Sequence, residues 1–389
     1  MRIAFASDWW PPRIGGVERQ TFDLATELAA RGHDVHVLTT SRGPTRLPNA
    51  PSDRVQHVDV PMAGAIALPD PRLVSTIADR LRRIAPDLVH AHGMFSAFAV
   101  AAIVAADRLG VPSVFTVHSL LRPLPVMVSA RALFRACVNR ATAITTVSAA
   151  TAGDVRAASG RDVVHIPNGL RLTEWLAGAD TPVRPSATAE TPVRADERDD
   201  VVRIVAVMRL APKKRPLDLV RALAAATRRS RSRPVVLEIA GDGSQRAAVE
   251  REAHRLGVRE HLVVHGACSR PQVRALLQRA SFLAQPGSRE AFGLAVLEAR
   301  ACGVPVVAMA AGGVAELVDH GRNGLLARSS REFHDLVATM AVDAQLRRRC
   351  ALAAPRDLER YDWSRIAAQH EALYERSGVV PWATPTDAR

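Results

Sequence analysis

At 389 residues the chain exceeds what one ordinary hydrophobic core supports, so about two or three domains are expected. Its content of 48% hydrophobic, 23% charged and 4% aromatic residues excludes wholesale disorder, and no apolar run nears the roughly 18 residues of a membrane span. The net charge of +13 comes from fifty arginines and two lysines against 39 acids, an Arg bias that reads as genome composition and points only weakly to nucleic acid.

The longest apolar run, Phe95 to Ala106, is already broken at Ser96. Met1 leads straight into a strand-like RIAFAS, which does not read as a secretory leader. Cys137, Cys268, Cys302 and Cys350 lie far apart with no CxxC pair, which speaks against zinc or a disulfide scaffold and fits a reducing cytoplasm.

In chain order, RIAFAS (Arg2–Ser7) predicts a strand, DWWPPRIGG a loop, Val17 to Arg31 a helix stopped by Gly32, and HDVHVLTT a second strand. DLVHAH (Asp87–His92), a helix over Ser96–Leu109, PSVFTVH (Pro112–His118), a helix near Ser129–Arg140, AITTVS (Ala143–Ser148) and DVVHIPNG continue the alternation. Short apolar strands alternating with helices imply a parallel sheet covered on both faces. From Ala177 to Asp200 the pattern fails in a stretch of prolines, small residues and acids, read as a linker or exposed loop. A second series follows: VVRIVAVMRL, a helix over Leu217–Thr227, VVLEIAGDG, a helix over Gln245–Leu256, HLVVHG, a helix over Gln272–Arg279, SFLAQPGS, a helix over Gly293–Cys302 and VPVVAMAAGG. YDWSRIAAQHEALYERS reads as one more helix. The expected organisation is an N-terminal unit at 1–176, a linker at 177–200, a C-terminal unit at 201–358 and a helical segment at 359–389. Ligands of doubly wound sheets bind at the carboxyl ends of the strands, so a cleft between two such units is the expected pocket.

The densest constellation is QPGSREAFGLAVLEARACGVPVVA (Gln285–Ala308). Glu290 falls in a loop after a strand, and Glu298 about a turn and a half into the next helix. Phe292, Gly293 and Leu294 open that helix, whose free N–H groups and dipole suit an anion. A diphosphate there would leave one carboxylate facing a sugar and the other a ribose diol; an ordinary helical Glu and a solvated loop Glu are the plain alternative. In AVMRLAPKKRP (Ala206–Pro216), Arg209 and Lys214 are two fixed cations suited to a diphosphate leaving group. A solvated basic turn is the competing account, but a chain that uses Arg fifty times keeps both its lysines here, and the two cations are not equivalent at a phosphate. Gly15 and Gly16 in RIGGVE, His118 at the end of PSVFTVH, and Gly241 in GDG complete the candidates, each readable alone as turn or core chemistry. The chain has no D-x-D pair, no G-x-x-x-x-G-K-[ST] loop, no H-E-x-x-H and no G-x-S-x-G. It also lacks the aromatic and basic interleaving of single-strand nucleic-acid binders, so neither a metal nor nucleic acid is expected.

Taken in order, GGVE, TVH, TVS, IPNG, MRL…K, GDG, E-x(7)-E and GGVAELV resemble the retaining glycosyltransferases of family 4 along nearly the whole chain. SDWWPPRIGGVERQ, HAHGMFSAFAVAA and FTVHSLL are similar to the catalytic subunits of phosphatidylinositol N-acetylglucosaminyltransferases. The resemblance implies an α/β GT-B fold, two Rossmann-like doubly wound parallel-sheet domains facing across a cleft. It implies a hexosyl transfer from a nucleotide sugar, itself a substrate, with no metal or other cofactor. Glu290 and the amides of Phe292–Leu294 would hold the donor sugar and phosphate, Glu298 the ribose, and Arg209 and Lys214 the diphosphate. Gly16 would lie by the donor phosphate, His118 by the donor sugar and Gly241 on the donor side. Asp8 and Gly15 are the candidate acceptor-binding residues, and the resemblance implies that the helix around Trp363–Tyr374 crosses back to the first domain. This chain departs from the family at Lys214-Arg215, where Lys-Gly is usual, and at Glu290-Ala291-Phe292-Gly293, where Glu-Gly-Phe-Gly is usual.

UDP-N-acetylglucosamine leads as the implied donor, with UDP-glucose and GDP-mannose behind, and the acceptor is left open among a lipid, an inositol derivative and a small metabolite. A nucleotide-sugar 2-epimerase on the same fold and a non-catalytic basic protein are the rival readings. Arg122, Arg131, Arg135 and Arg140 flank apolar Val126, Val128, Leu133, Phe134 and Val138. Such a helix either packs on its own domain or offers a peripheral contact to the inner face of a membrane from the cytoplasm.

Overall fold

The computed structural model describes residues 1–13, 15–42, 54–58, 70–93, 96–121, 135, 136, 138–176 and 201–378. The helix expected near Ser129–Arg140 and the linker expected at 177–200 lie mostly or wholly outside them. The chain divides into two compact units, Leu170–Glu359 forming the second and the residues on both sides of it, Met1–Gly169 and Arg360 onward, the first.

In unit 1 the strands are β1 (Arg2–Ser7), β2 (Asp34–Thr39), β3 (Val55–His57), β4 (Leu88–His92), β5 (Ser113–Val117), β6 (Ala143–Thr146) and β7 (Val164–His165). They form one sheet in the order β3-β2-β1-β4-β5-β6-β7, every pair parallel. Central strands such as β4 and β5 are buried along their whole length, because helices cover both faces. One face packs on Pro71–Ile84 and Ala97–Leu109, through Leu73, Ile77, Leu81, Phe98 and Ile103. The other packs on Gly16–Ala30 and Trp363–Arg376, through Leu24, Leu28, Ile366, Leu373 and Tyr374 against Phe5, Val37 and Val114.

Helix starts follow local chemistry. The Ser96 hydroxyl accepts from the Ala99 amide at 2.8 Å, and Ser148 from Thr151 at 3.1 Å. The helices Pro71–Ile84 and Ala149–Ser159 are not among the elements read from sequence. The first follows an N-cap Asp70 that accepts from Arg72 at 2.8 Å, with Pro71 at N1, a start signal as plain as any in the chain.

In unit 2 the strands are β8 (Val202–Val207), β9 (Val235–Ala240), β10 (Leu262–Gly266), β11 (Phe282–Gln285), β12 (Val306–Met309) and β13 (Gly324–Ala327). Their order is β10-β9-β8-β11-β12-β13, again all parallel. Chain order reverses beside β1 in unit 1 and beside β8 in unit 2, so each sheet opens a crevice there, between β1 and β4 and between β8 and β11. The core of unit 2 gathers Ile204, Leu223, Leu237, Phe282 and Phe333, the last from the helix Ser330–Val342. That helix, Ala344–Ala353 and β13 were not anticipated from sequence either.

Candidate active site

The candidates fall into two groups, one per unit, at the carboxyl ends of the strands that flank the reversal and of their neighbours β5 and β9. In unit 2, β8 ends at Val207 and the chain passes exposed Arg209 into a single 3-10 turn, Pro212–Lys214. β11 ends at Gln285, and its loop carries Glu290 to the helix Leu294–Ala301. Lys214 and Glu290, 76 residues apart, meet at 2.5 Å between Nζ and Oε1. Buried Gln285 donates to the same carboxylate oxygen from 2.9 Å. Glu290 is thus held by a cation and an amide in a largely buried position, and its backbone carbonyl accepts from Gly313 at 3.0 Å, which ties the loop to the end of β12.

Glycines set the shape of this site. At Gly241 φ is +150°, and an added Cβ would lie 1.7 Å from the Met208 carbonyl oxygen. The turn after β9 therefore runs against the backbone on either side of Arg209, a closeness no other residue permits. Gly293, with φ of +103°, is the N-cap of Leu294–Ala301. Its carbonyl accepts from the amides of Val296 and Leu297, while those of Leu294 and Ala295 have no partner among the described residues. They point out of a helix N-terminus, where partial positive charge gathers. Phe292 is buried beside it, and Glu298 is half-buried on the helix itself.

In unit 1, Asp8 follows β1 and His118 follows β5. Burial pushes the Asp8 carboxyl above its ordinary range, against the opposing pull of a Ser96 hydrogen bond and the Arg13 charge. Its carbonyl accepts from the hydroxyls of Thr40 and Ser41 at 3.2 and 3.0 Å. Gly15 caps the helix Gly16–Ala30, and the Glu18 carboxylate lies over it so closely that a Cβ there would be 2.2 Å from Oε2. Glu18 is buried and paired with Arg13 at 3.3 Å, so this helix start already faces an acid of its own. His118 accepts or donates through Nε2 to Nδ1 of His92 at 3.1 Å, and burial lowers its pKa to about 4.

Sequence reasoning did not single out Gln285, Glu18, His90 or His92. Gln285 and the two histidines are polar residues inside otherwise apolar strands, FLAQ and LVHAH, and a polar side chain in a fully buried strand is the signal that marks them. Of the proposed membrane helix, Arg122, Val126, Val128, Arg131, Leu133 and Phe134 lie outside the described residues; Arg140 pairs with Asp107 at 2.6 Å and Val138 is buried. No helix among the described residues is long and apolar enough to cross a membrane. No group of three or more His, Cys, Asp or Glu among them is arranged to hold a metal ion.

Comparison with known proteins supplies the context. Residues 14–174 match the family model "Glycosyltransferase Family 4", and residues 189–357 match "Glycosyl transferases group 1". The D-inositol 3-phosphate glycosyltransferase of Actinosynnema mirum is 31% identical over 94% of this chain and 93% of its own length. A glycogen synthase of Mycobacterium tuberculosis is 28% identical over 96% and 94%. Among solved structures, Anabaena HepE in complex with UDP superposes with a TM-score of 0.77 at 22% identity, covering 97% of this chain and all of that one. Its complex with UDP-glucose gives 0.75 at 23%, covering 96% of this chain and all of that one.

Proposed function

This chain belongs to the glycosyltransferases, its first half to family 4 and its second to group 1, and we propose that it moves a hexosyl group from a UDP-sugar to an acceptor hydroxyl with retention at the anomeric carbon. The observation that carries the reading is the Lys214–Glu290 pair beside the open amides of Leu294 and Ala295, at the crevice between β8 and β11. Cation and amides together suit a diphosphate, and the carboxylate suits sugar hydroxyls.

In this reaction the bond from the sugar C1 to the diphosphate oxygen breaks and a bond from C1 to the acceptor oxygen forms on the same face. The acceptor proton passes to the departing diphosphate, so no side chain serves as covalent nucleophile. Lys214 and Arg209 stabilise the charge growing on the leaving group, and the helix amides add to it without reorganising. Glu290 orients the sugar, Glu298 the ribose, and Gly241 leaves room for the donor. For unit 1 the family resemblance assigns Gly16 to the donor phosphate, His118 to the sugar, and Asp8 with Gly15 to the acceptor. Because fixed cations neutralise the diphosphate, a chelator such as EDTA is expected to leave turnover unchanged.

The uridine choice is supported by the relative solved with UDP and UDP-glucose, and N-acetylglucosamine by the likeness of the N-terminal motifs. An inositol phosphate is the acceptor class favoured by the 31% relative. The test is a thermal-shift panel of UDP, GDP and their sugars, followed by product analysis with D-inositol 3-phosphate. Stabilisation by uridine nucleotides and an axial product linkage are expected; stabilisation by guanosine nucleotides alone, or conversion of the donor without acceptor, would overturn the assignment.

A further inference from the structure

His118 packs on a chain of three buried imidazoles among the described residues. His90 and His92 lie two residues apart on β4, and His370 comes from the helix Trp363–Arg376; they are 0%, 2% and 5% exposed. His90 is fully used: Nδ1 meets the Tyr374 hydroxyl at 2.7 Å and Nε2 the Thr116 hydroxyl at 2.6 Å. His92 is different. Its ring stacks on Phe5 at 5.1 Å and 8°, with the His90 ring 4.0 Å away, so its plane is fixed. Its Nδ1 meets His118 Nε2 at 3.1 Å, while its Nε2, equally buried, has no hydrogen-bond partner among the described residues.

A hydrogen bond between two imidazoles needs one N–H and one lone pair, so it forms only when at least one ring is neutral. Burial holds both rings neutral at pH 7. Two proton arrangements then remain. If His118 donated, His92 would carry its own proton on Nε2, leaving a buried N–H with nothing to donate to. If His92 donates from Nδ1, only a lone pair is left unmatched at Nε2. Orphaned buried N–H groups are the rarer of the two in folded proteins.

We propose that His92 is a positioning residue that donates its Nδ1 proton to His118, and so fixes His118 as the tautomer presenting Nδ1–H at the carboxyl end of β5. In that state His118 is a neutral hydrogen-bond donor, suited to an oxygen of the donor sugar, and it has no free lone pair with which to take a proton from the acceptor. The inference rests on the proposed transferase reaction only for what His118 touches; the tautomer itself does not depend on it.

The experiment is a long-range proton–nitrogen NMR correlation on the full chain labelled with 15N-histidine, without substrate, joined to kinetics of three variants. Wild-type His118 is expected with Nδ1 protonated and Nε2 bare. His92→Asn keeps an amide N–H near the place of Nδ1 and should hold both the tautomer and the turnover. His92→Asp offers only an acceptor, should turn His118 to the Nε2–H form, and should lower kcat about a hundredfold with a smaller change in KM. His92→Phe should leave His118 with a mixture of tautomers. A wild-type spectrum showing Nε2–H on His118, or an Asp variant as active as the Asn variant, would overturn the proposal. The wild-type spectrum decides even where a variant fails to fold, and a correct tautomer in a protein with no transferase activity would count against the reaction and not against the role of His92.

Discussion

Lys214 and Glu290 give the sharpest residue-scale contrast between structural and functional roles. The side chains of Lys214 and Glu290 are 23% and 11% exposed, so deleting the cation would strand a largely buried carboxylate on Gln285 alone, at a cost of about 1–3 kcal/mol. Lys214→Arg keeps the carboxylate paired and should leave the melting temperature nearly unchanged, while a planar guanidinium in place of the ammonium should lower turnover about tenfold. Equal losses of stability and activity, read by calorimetry and product assay, would instead make the pair a structural clasp. Both residues were legible in the sequence for a physical reason: a lysine persists only at Lys213 and Lys214 in an arginine-rich chain, and Glu290 precedes a glycine that must open a helix. That they touch was not legible, because 76 residues separate them and only the pairing of β8 with β11 closes the distance. The role of His92 was hidden more deeply, since its partner comes from the neighbouring strand and its proton from the burial of one nitrogen.

Among elements, the helix Trp363–Arg376 has the most to answer for. It lays Trp363, Ile366, Leu373 and Tyr374 on the face of the unit 1 sheet that the helix Gly16–Ala30 shares. Its 3.6-residue periodicity was visible in YDWSRIAAQHEALYERS, and the family resemblance implied its return to the first domain, whereas the face that receives it was not legible, because β1 is apolar on both faces. Gly169→Ala should disturb its start: the new Cβ would meet the Trp363 ring at 2.4 Å, and the overpacking should cost about 1–3 kcal/mol in denaturant unfolding. Tyr374→Phe removes the hydroxyl on His90 Nδ1 and leaves a buried nitrogen unmatched, at a cost of about 1–3 kcal/mol with no change in fold. If Tyr374→Phe were neutral, the bond would be incidental to the docking of the helix. The outer arginine contact, Arg31 with Glu371 at 2.6 Å, lies nearer solvent and should matter less.

For the whole molecule, acid is the informative stress. Burial lowers His118 to about 4 and His370 to about 3 from an ordinary 6.5, and holds His90 and His92 well below it. Unfolded, these groups take up protons below about pH 6.5; folded, they do not until far lower. The stability that their neutrality provides is therefore complete above 6.5 and drains away as the pH falls toward 4, each histidine steepening the unfolding constant by about tenfold per pH unit. His370→Leu should flatten that slope by one proton. Carboxylates held low by arginines, such as Glu252 at about 2 beside Arg255 and Arg221, act in a separate and more acidic window, from an ordinary 4.5 downward. Two of the arginines are committed internally: Arg300 and Arg347 are buried, each donating to backbone carbonyls.

The discontinuity of unit 1 also has a bearing on how the protein comes into being. Residues 170–359 separate its sheet from the helix that covers one face, so a ribosome must add roughly 190 residues, on the order of ten to forty seconds of synthesis, before Phe5, Leu24 and Leu28 meet Ile366 and Leu373. The later-made unit is thus complete on emergence while the earlier one waits, its oily flank bare in the meantime.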